Sequence, residues 1–442
     1  MQTEGYPLYF FLSIAALGLI FFIWRPQYNF WFSLFYFSVR ELRTASFTRI
    51  EGFGPYLNLD DFVLIILVIS LIHISYKRGI KIPNLVIWLS ICFIVSLLTI
   101  GINYSFIYEV QREHKFALYF ILGIFFGYNF VLKEKDFEIF LKILFIGSFI
   151  ASIQYLLFAQ EKIELYGTRN IETIRSVGFM ALIPIFIITS IFIKIKWLST
   201  IKIKLIYFSG LSMMVVNIIL SQTRSIYISI ILTVFLIYLF HKEFKVKSGL
   251  IFLIIVPFIV YIIFDQYFKF ININELIFGR MQLLSDSPST DVTTIGRAYA
   301  IKYEIAAFLK SNIIFGNGLG FTYFIPEGRS EYISWGHIGH IAYLARLGLL
   351  GFIIYSIYIP FTTLKYLVKT ETNKLKYGYT KIFIIFATAL IINDWISFWM
   401  SASYLGIGAF LSGTVIGTVW ALKDKKIKLA EFSVEIAKND LP

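Results

Sequence analysis

The sequence predicts an all-α fold: a polytopic bundle of 12–13 transmembrane helices interrupted by one long external loop that carries an amphipathic helix. Three observations lead there. The chain of 442 residues is 58% hydrophobic and 19% aromatic, with a mean hydropathy of +0.76, whereas a soluble globule is about half apolar and about a quarter charged. Its apolar runs are about 15 to 27 residues long, near the roughly 20 that a helix needs to cross about 30 Å of hydrocarbon. Its lysines gather on alternate connections of one parity, as cytoplasmic loops do. A strand barrel would show shorter alternating segments, which are absent.

Taken in order, the spans are 7–24, 62–76, 82–100, 116–132, 137–158, 176–195, 205–221, 225–240, 250–264, 337–363, 382–398 and 404–422. A thirteenth candidate, 28–39, is short and aromatic-rich and reads as a short span or an interfacial helix. The chain therefore divides into an amino-terminal bundle (1–266), an external loop (267–336), a carboxy-terminal helix group (337–422) and a cytoplasmic tail (423–442). The first apolar run lacks a basic n-region and a small-residue cleavage site, so it is expected to be a retained span. No internal repeat relates the two halves, which argues against transporter folds built from repeats.

The net charge of +13 reports topology rather than nucleic-acid binding. Lys194, Lys196, Lys202 and Lys204 form one cluster and Lys242, Lys245 and Lys247 another; the stretches 365–381 and 423–428 hold two more. With those inside, the segments 101–115, 159–175, 222–224 and 267–336 fall outside. The single cysteine, Cys92, lies within a span and suggests neither a disulfide nor a metal or redox role.

Within the external loop, Ile295, Ala298, Ile301, Ile305, Ala306 and Leu309 recur at helical spacing, predicting an amphipathic helix over 294–311 whose apolar face rests on lipid or on the bundle. Gly316, Gly318 and Gly320 then form a turn in which glycine supplies positive φ. On the same outer face stand Arg169, Arg175, Arg224, Arg280 and Arg297. Singly, each reads as a surface ion pair, with Glu172 or Asp291 for instance, or as a snorkelling residue at a helix end. As a set on the face where positive charge is normally scarce, they point to an anionic ligand carrying phosphate, which a guanidinium grips through parallel hydrogen bonds.

His337 opens the next span, and His340 follows three positions later, on nearly the same side of a helix. No carboxylate or cysteine joins them at a supporting spacing, so no metal is expected. A histidine at a helix mouth is either a satisfied polar residue or a general base. Arg346 lies about 13 Å deeper by helical rise, and Asp394, in the outer third of the following span, is its expected ion-pair partner. Asp60 and Asp61 read as first-turn carboxylates at a helix start.

These motifs, in this order, resemble the O-antigen ligase and polymerase superfamily. The residues carrying the resemblance are the span opening at Ser221–Arg224, Gly296-Arg297 before the amphipathic helix, the Gly316, Gly318 and Gly320 turn, and His337 eleven residues before Gly348-Leu349-Leu350-Gly351. It extends from about residue 180 to 361. The chain departs from the family pattern at Ile338, where Asn is usual, at Arg346, where Glu is usual, and at His340, where an aromatic is usual.

The resemblance implies a GT-C-like, metal-independent, inverting glycosyltransferase with no cofactor, acting at the outer face of the bacterial cytoplasmic membrane. Its donor would be an undecaprenyl-diphosphate-linked glycan, and its acceptor a further lipid-linked repeat or lipid A core. Catalytic roles would fall to His337, Arg297 and Arg224, and diphosphate contacts to Arg169, Arg175, Arg280, His340, Gly316, Gly318 and Gly320. The lipid bilayer, a chain-length regulator and a flippase are the partners this implies, with no nucleic acid. Polymerisation is preferred to ligation because it serves O-antigen, capsule and exopolysaccharide alike. A lipid-linked oligosaccharide flippase is the competing reading from another class, and a noncatalytic envelope scaffold a further one.

Overall fold

The computed structural model describes residues 25–39, 59–78, 81–102, 107–131, 133–166, 182–192, 200–221, 224–240, 292–325, 331–333, 338–369, 378–400 and 408–424. The expected spans 7–24 and 250–264 lie outside these residues. Among the described residues, eight helices precede the segment 267–336 (the loop): α1 (Pro26–Val39), α2 (Leu59–Arg78), α3 (Asn84–Ile102), α4 (Ile107–Phe130), α5 (Glu134–Tyr166), α6 (Leu182–Phe192), α7 (Ile201–Ser221) and α8 (Arg224–Phe240). The described part of the loop holds α9 (Val292–Lys310) and a two-stranded antiparallel hairpin, β1 (Tyr323–Ile325) with β2 (Glu331–Ile333). Among the described residues, four further helices follow: α10 (Gly339–Phe352), which runs through a π-helical segment (Ile353–Tyr358) into α11 (Ile359–Lys369), then α12 (Tyr379–Met400) and α13 (Ala409–Asp424).

The architecture is that of a polytopic helical membrane protein. Among the described residues, five helices are long and apolar enough to cross a membrane. Several helices turn unpaired apolar stripes outward, such as Ile87, Trp88, Ile91, Ile94 and Leu98 on α3, and Ile228, Ile231 and Phe235 on α8. In water such stripes would be costly; against lipid they are the expected surface. By contrast α12 is wrapped on all sides, with Phe383, Ile385, Phe386, Ala387 and Ala389 fully buried among α5, α6 and α8, as its all-round hydrophobicity requires.

The closest helix pair is α4 with α13. Gly123 and Gly127 on one face Gly413 and Gly417 on the other, so two small-x-x-x-small stripes meet and the backbones touch: a Cβ on Gly127 would collide with the Thr414 carbonyl, and one on Gly417 with the Ile124 carbonyl. Between helices in lipid such contact is a principal source of association, because apolar burial adds little there.

The π-helical segment also has a local cause. Pro360 has no N–H for the Ser356 carbonyl four residues earlier, and the indole Nε1 of Trp395 on α12 donates to that carbonyl instead, at 2.9 Å. The broken ladder is thus repaired from a neighbouring helix.

The segment 28–39, expected as a short span or an interfacial helix, forms α1, which inserts Phe30, Leu34 and Phe37 between α5, α2 and α13. One expectation is corrected. The polar stretch before Phe116 is helix rather than loop, because Glu109 sits in the first turn of α4 and pairs with Arg112 one turn on. A short hairpin follows α9 within the otherwise helical fold. Among the described residues the helix after the loop begins at Gly339, with Ile338 in an extended conformation (φ −122°, ψ 105°); His337 lies outside the described residues.

Two poles emerge. At one, Tyr128 donates to Asp424 (3.3 Å), Tyr379 donates to Glu138 (3.1 Å), and Lys423 lies over Trp420. At the other, the end of α3 and the start of α4 meet the wedge-forming loop and α10.

Candidate active site at a broken helix

The glycine turn and the Gly348-Leu349-Leu350-Gly351 motif are two halves of one joint. Gly348 takes φ +63° and ψ −164° inside α10, breaking the helix there. A continuous helix would bond Leu349 N–H to the Ala345 carbonyl and Leu350 N–H to the Arg346 carbonyl. Here Leu349 N donates to Ile313 O (2.9 Å) and Leu350 N to Ile314 O (3.1 Å), while Asn317 N donates to Ala345 O (3.2 Å) and Gly318 N to Arg346 O (2.7 Å). Both donors and both acceptors freed by the break are thus satisfied by the loop, as buried backbone groups must be.

Gly316, Gly318 and Gly320 adopt φ of 69°, 96° and 83°, the left-handed region that glycine enters without strain. They are also needed for clearance. A Cβ on Gly316 would strike the Arg346 backbone, one on Gly318 the Ile100 backbone of α3, and one on Gly320 the Val110 backbone of α4. The loop is therefore a wedge between the broken helix and the α3–α4 corner.

On the corner side, Leu319 N donates to Ser96 Oγ (2.8 Å) and Gly320 N to Glu113 Oε2 (2.7 Å). Ser96 Oγ in turn lies 3.2 Å from His114 Nε2, and His114 Nδ1 lies 2.8 Å from the Val110 carbonyl. The carbonyl only accepts, so Nδ1 carries the proton, Nε2 accepts from the serine hydroxyl, and the chain of bonds is closed. Asn317 Nδ2 further donates to the carbonyls of Ala345 (3.0 Å) and Ala307 (3.3 Å), tying α9 to α10.

Charge enters at the same joint. Arg346 Nη1 forms an ion pair with Glu113 Oε1 at 2.8 Å. This corrects the expected Arg346–Asp394 pair: the wedge carries α10 against α4, where Glu113 is closer, and Asp394 instead accepts a hydrogen bond from Ser412 Oγ on α13 (2.8 Å). A second carboxylate, Glu304 of α9, is 1% exposed and faces Arg346, Tyr323 of β1, and Glu113. Burial pushes the Glu304 carboxyl up to about 7, opposed by Arg346 and by the neighbouring Tyr323 hydroxyl, and aided by the charge of Glu113. Burial and the neighbouring Glu304 likewise raise the Tyr323 hydroxyl.

The expected amphipathic helix is therefore real, but its inward face is not simply apolar. Ile305 and Leu309 point outward, 41% and 66% exposed, while Glu304 points in.

The expected site residues fall as follows. Arg224 is the first residue of α8 and Arg297 lies in the second turn of α9; their side chains lie outside the described residues, as do Arg169, Arg175, Arg280 and His337 entirely. Gly316, Gly318 and Gly320 are brought together as the wedge. His340, expected beside the diphosphate, is instead shut away. It is 1% exposed, its ring is surrounded by Trp395, Phe398 and Trp399, and its Nε2 lies 3.2 Å from the Trp395 carbonyl. It pins the first turn of α10 to α12. Sequence reasoning missed Ser96, Glu113, His114, Glu304 and Asn317.

The joint thus holds the helix that bears Arg297 against the helix that follows His337. Backbone N–H groups, one guanidinium and two carboxylates are buried beneath it. Among known proteins, residues 209–356 match the O-antigen ligase family, a stretch that contains Arg224, Arg297, the wedge, His337 and Gly348; no curated protein matches the chain. By its architecture the chain is a multi-pass helical membrane protein, and over residues 209–356 it is similar to the O-antigen ligase family.

Proposed function

We propose that the chain is a metal-independent, inverting glycosyltransferase that polymerises undecaprenyl-diphosphate-linked repeat units at the outer face of the bacterial cytoplasmic membrane. The observation that carries this reading is the joint itself, which ties α9, the helix of Arg297, to α10, the helix after His337, within the matched stretch. The acceptor hydroxyl attacks the anomeric carbon of the donor glycan, the bond from that carbon to the diphosphate oxygen breaks, and the hydroxyl proton passes to His337. Attack opposite the leaving group inverts the anomeric centre.

The departing diphosphate gathers negative charge, which Arg297 and Arg224 offset with Arg169, Arg175 and Arg280 around them. The wedge glycines have another part: the N–H groups of Gly316, Gly318 and Gly320 already donate to Asn312 O, Arg346 O and Glu113 Oε2, so they hold the frame rather than the phosphate. His340 and Arg346 belong to the frame as well. The apolar stripes on the bundle suit a polyprenyl tail lying in the membrane plane. In this reading the lysine-rich connections and the carboxy-terminal tail are cytoplasmic, and 267–336 is external.

Ligation is the second reading, favoured by the description of the matched family, O-antigen ligase. One experiment separates the two. Glycan is compared in cells lacking the native protein and complemented with wild type, His337→Ala or Arg297→Ala at matched membrane levels. Polymerase activity requires that long chains vanish while a single repeat unit still reaches its final acceptor. Ligase activity requires that attached glycan vanish while long lipid-linked chains accumulate. Unchanged glycan in both variants would end the catalytic reading, and with it leave a flippase or a scaffold.

A further inference from the structure

Arg346 faces two carboxylates and serves one. Its Nη1 is engaged by Glu113 at 2.8 Å, while its Nη2 and both carboxylate oxygens of Glu304 make no hydrogen bond by distance and angle. Glu304 is nonetheless sealed in, held between α10, β1 and the start of α4, with Tyr323 alongside and Tyr299, Tyr303 and Phe321 packed around that ring. A buried carboxylate without its own cation is far more stable neutral than charged. Glu304 also occupies a telling position in α9. It follows Arg297 by seven residues, about two helical turns along α9.

We propose that Glu304 is a positioning residue that seats α9, and with it Arg297, on the broken helix in its protonated form, because Glu113 already holds the guanidinium that faces it. When Glu304 ionises, its charge competes with Glu113 for Arg346 within a closed space, and α9 lifts from its seat. The groups that face Glu304 are Arg346 from α10, Tyr323 from β1 and Glu113 from α4, with Arg112 and Glu109 beyond Glu113. Two of these favour the charged form and one opposes it; burial outweighs them, which is why its carboxyl rises to about 7. The proposal rests on the reading that Arg297 serves transfer, but its physical content is the seat of α9, which is measurable without activity.

The sign follows from proton counting. Between the pH at which an exposed glutamate ionises, about 4.3, and about 7, the seated helix holds a proton that the lifted helix has lost. Seating is therefore fully favoured below that window and weakens as pH rises through it.

The test is amide hydrogen exchange of residues 292–310 in full-length protein reconstituted in lipid nanodiscs, from pH 5 to 8. At each pH wild type is compared with Glu304→Gln, so that intrinsic exchange cancels. In wild type, protection of α9 relative to the variant should fall by up to about tenfold per pH unit across the window, while α13 shows no difference. Glu113→Gln, which frees Arg346 for Glu304, should move the fall to lower pH. Superimposable exchange of wild type and Glu304→Gln overturns the proposal, and so does a Glu113→Gln profile identical to wild type. Normal glycan from Arg297→Ala, with exchange behaving as described, would instead sink the transfer reading and leave the seat intact.

Discussion

Glycine builds two opposite kinds of contact in this protein. Where α4 meets α13, Gly123, Gly127, Gly413 and Gly417 stay in regular helix and simply remove bulk, so that two backbones touch along a seam. Where the wedge meets α10, Gly316, Gly318, Gly320 and Gly348 leave the helical region for positive φ and exchange hydrogen bonds between a loop and a broken helix. The seam keeps every helical bond and makes a stiff frame. The joint gives up two of them and gains a place where backbone, charge and α9 converge. Irregular backbone at membrane depth survives only where protein satisfies it, and here that irregularity coincides with the motifs of the matched family.

The comparison breaks most severely at the seam. Gly417→Val would drive a branched side chain into the Ile124 carbonyl, at a cost of about 3 kcal/mol or more. The expected outcome is loss of monodisperse protein by size-exclusion chromatography in detergent; wild-type yield would show that the seam is not what holds α4 to α13. Next comes the charge under the joint. Arg346→Met strands Glu113 without its cation and is expected to cost about 3 to 5 kcal/mol. Arg112→Met, at the more exposed Glu109 pair, should cost about 1 kcal/mol or less. Thermal unfolding of the two variants ranks them, and an equal shift would deny the buried pair its role.

A smaller effect sharpens the contrast between repaired and unrepaired breaks. Trp395→Phe leaves the Ser356 carbonyl without a donor, for about 1 to 3 kcal/mol. Adding Pro360→Ala returns a backbone N–H to that carbonyl and should recover part of the loss. A double variant no more stable than Trp395→Phe would mean that the indole bond to Ser356 is incidental.

Much of this was legible in the sequence, and what was not has a physical reason. Long apolar runs fixed their own helices, so the expected 205–221 becomes Ile201–Ser221 and 382–398 becomes Tyr379–Met400. The helix expected at 294–311 appears as Val292–Lys310, and all three turn glycines have positive φ. The seam was equally readable, because Gly-x-x-x-Gly on α4 and on α13 is a spacing signal; it passed unused.

The partner of Arg346 was not legible. Glu113 stands far away in the chain, in a stretch whose polarity suggested a loop, and only the wedge brings α4 within reach of α10. Glu304 was hidden for a related reason. Helical periodicity orders apolar residues onto one face, and a lone glutamate on the inward side breaks that pattern rather than announcing itself. The hairpin after the wedge did leave a trace, as Tyr323-Phe324-Ile325 and Glu331-Tyr332-Ile333 flank Pro326-Glu327-Gly328. The burial of His340 could not be read at all, since it depends on where α12 places Trp395, Phe398 and Trp399.

The most direct test of the central claim, that the joint frames the site of transfer, is the glycan profile of cells carrying Gly348→Ala, with His337→Ala as the reference for complete loss. An added Cβ at Gly348 would collide with the Ile314 carbonyl and strain a positive φ, while the α4–α13 seam stays untouched. At matched membrane levels the account predicts that Gly348→Ala loses long glycan as His337→Ala does. Wild-type glycan length from Gly348→Ala would contradict it.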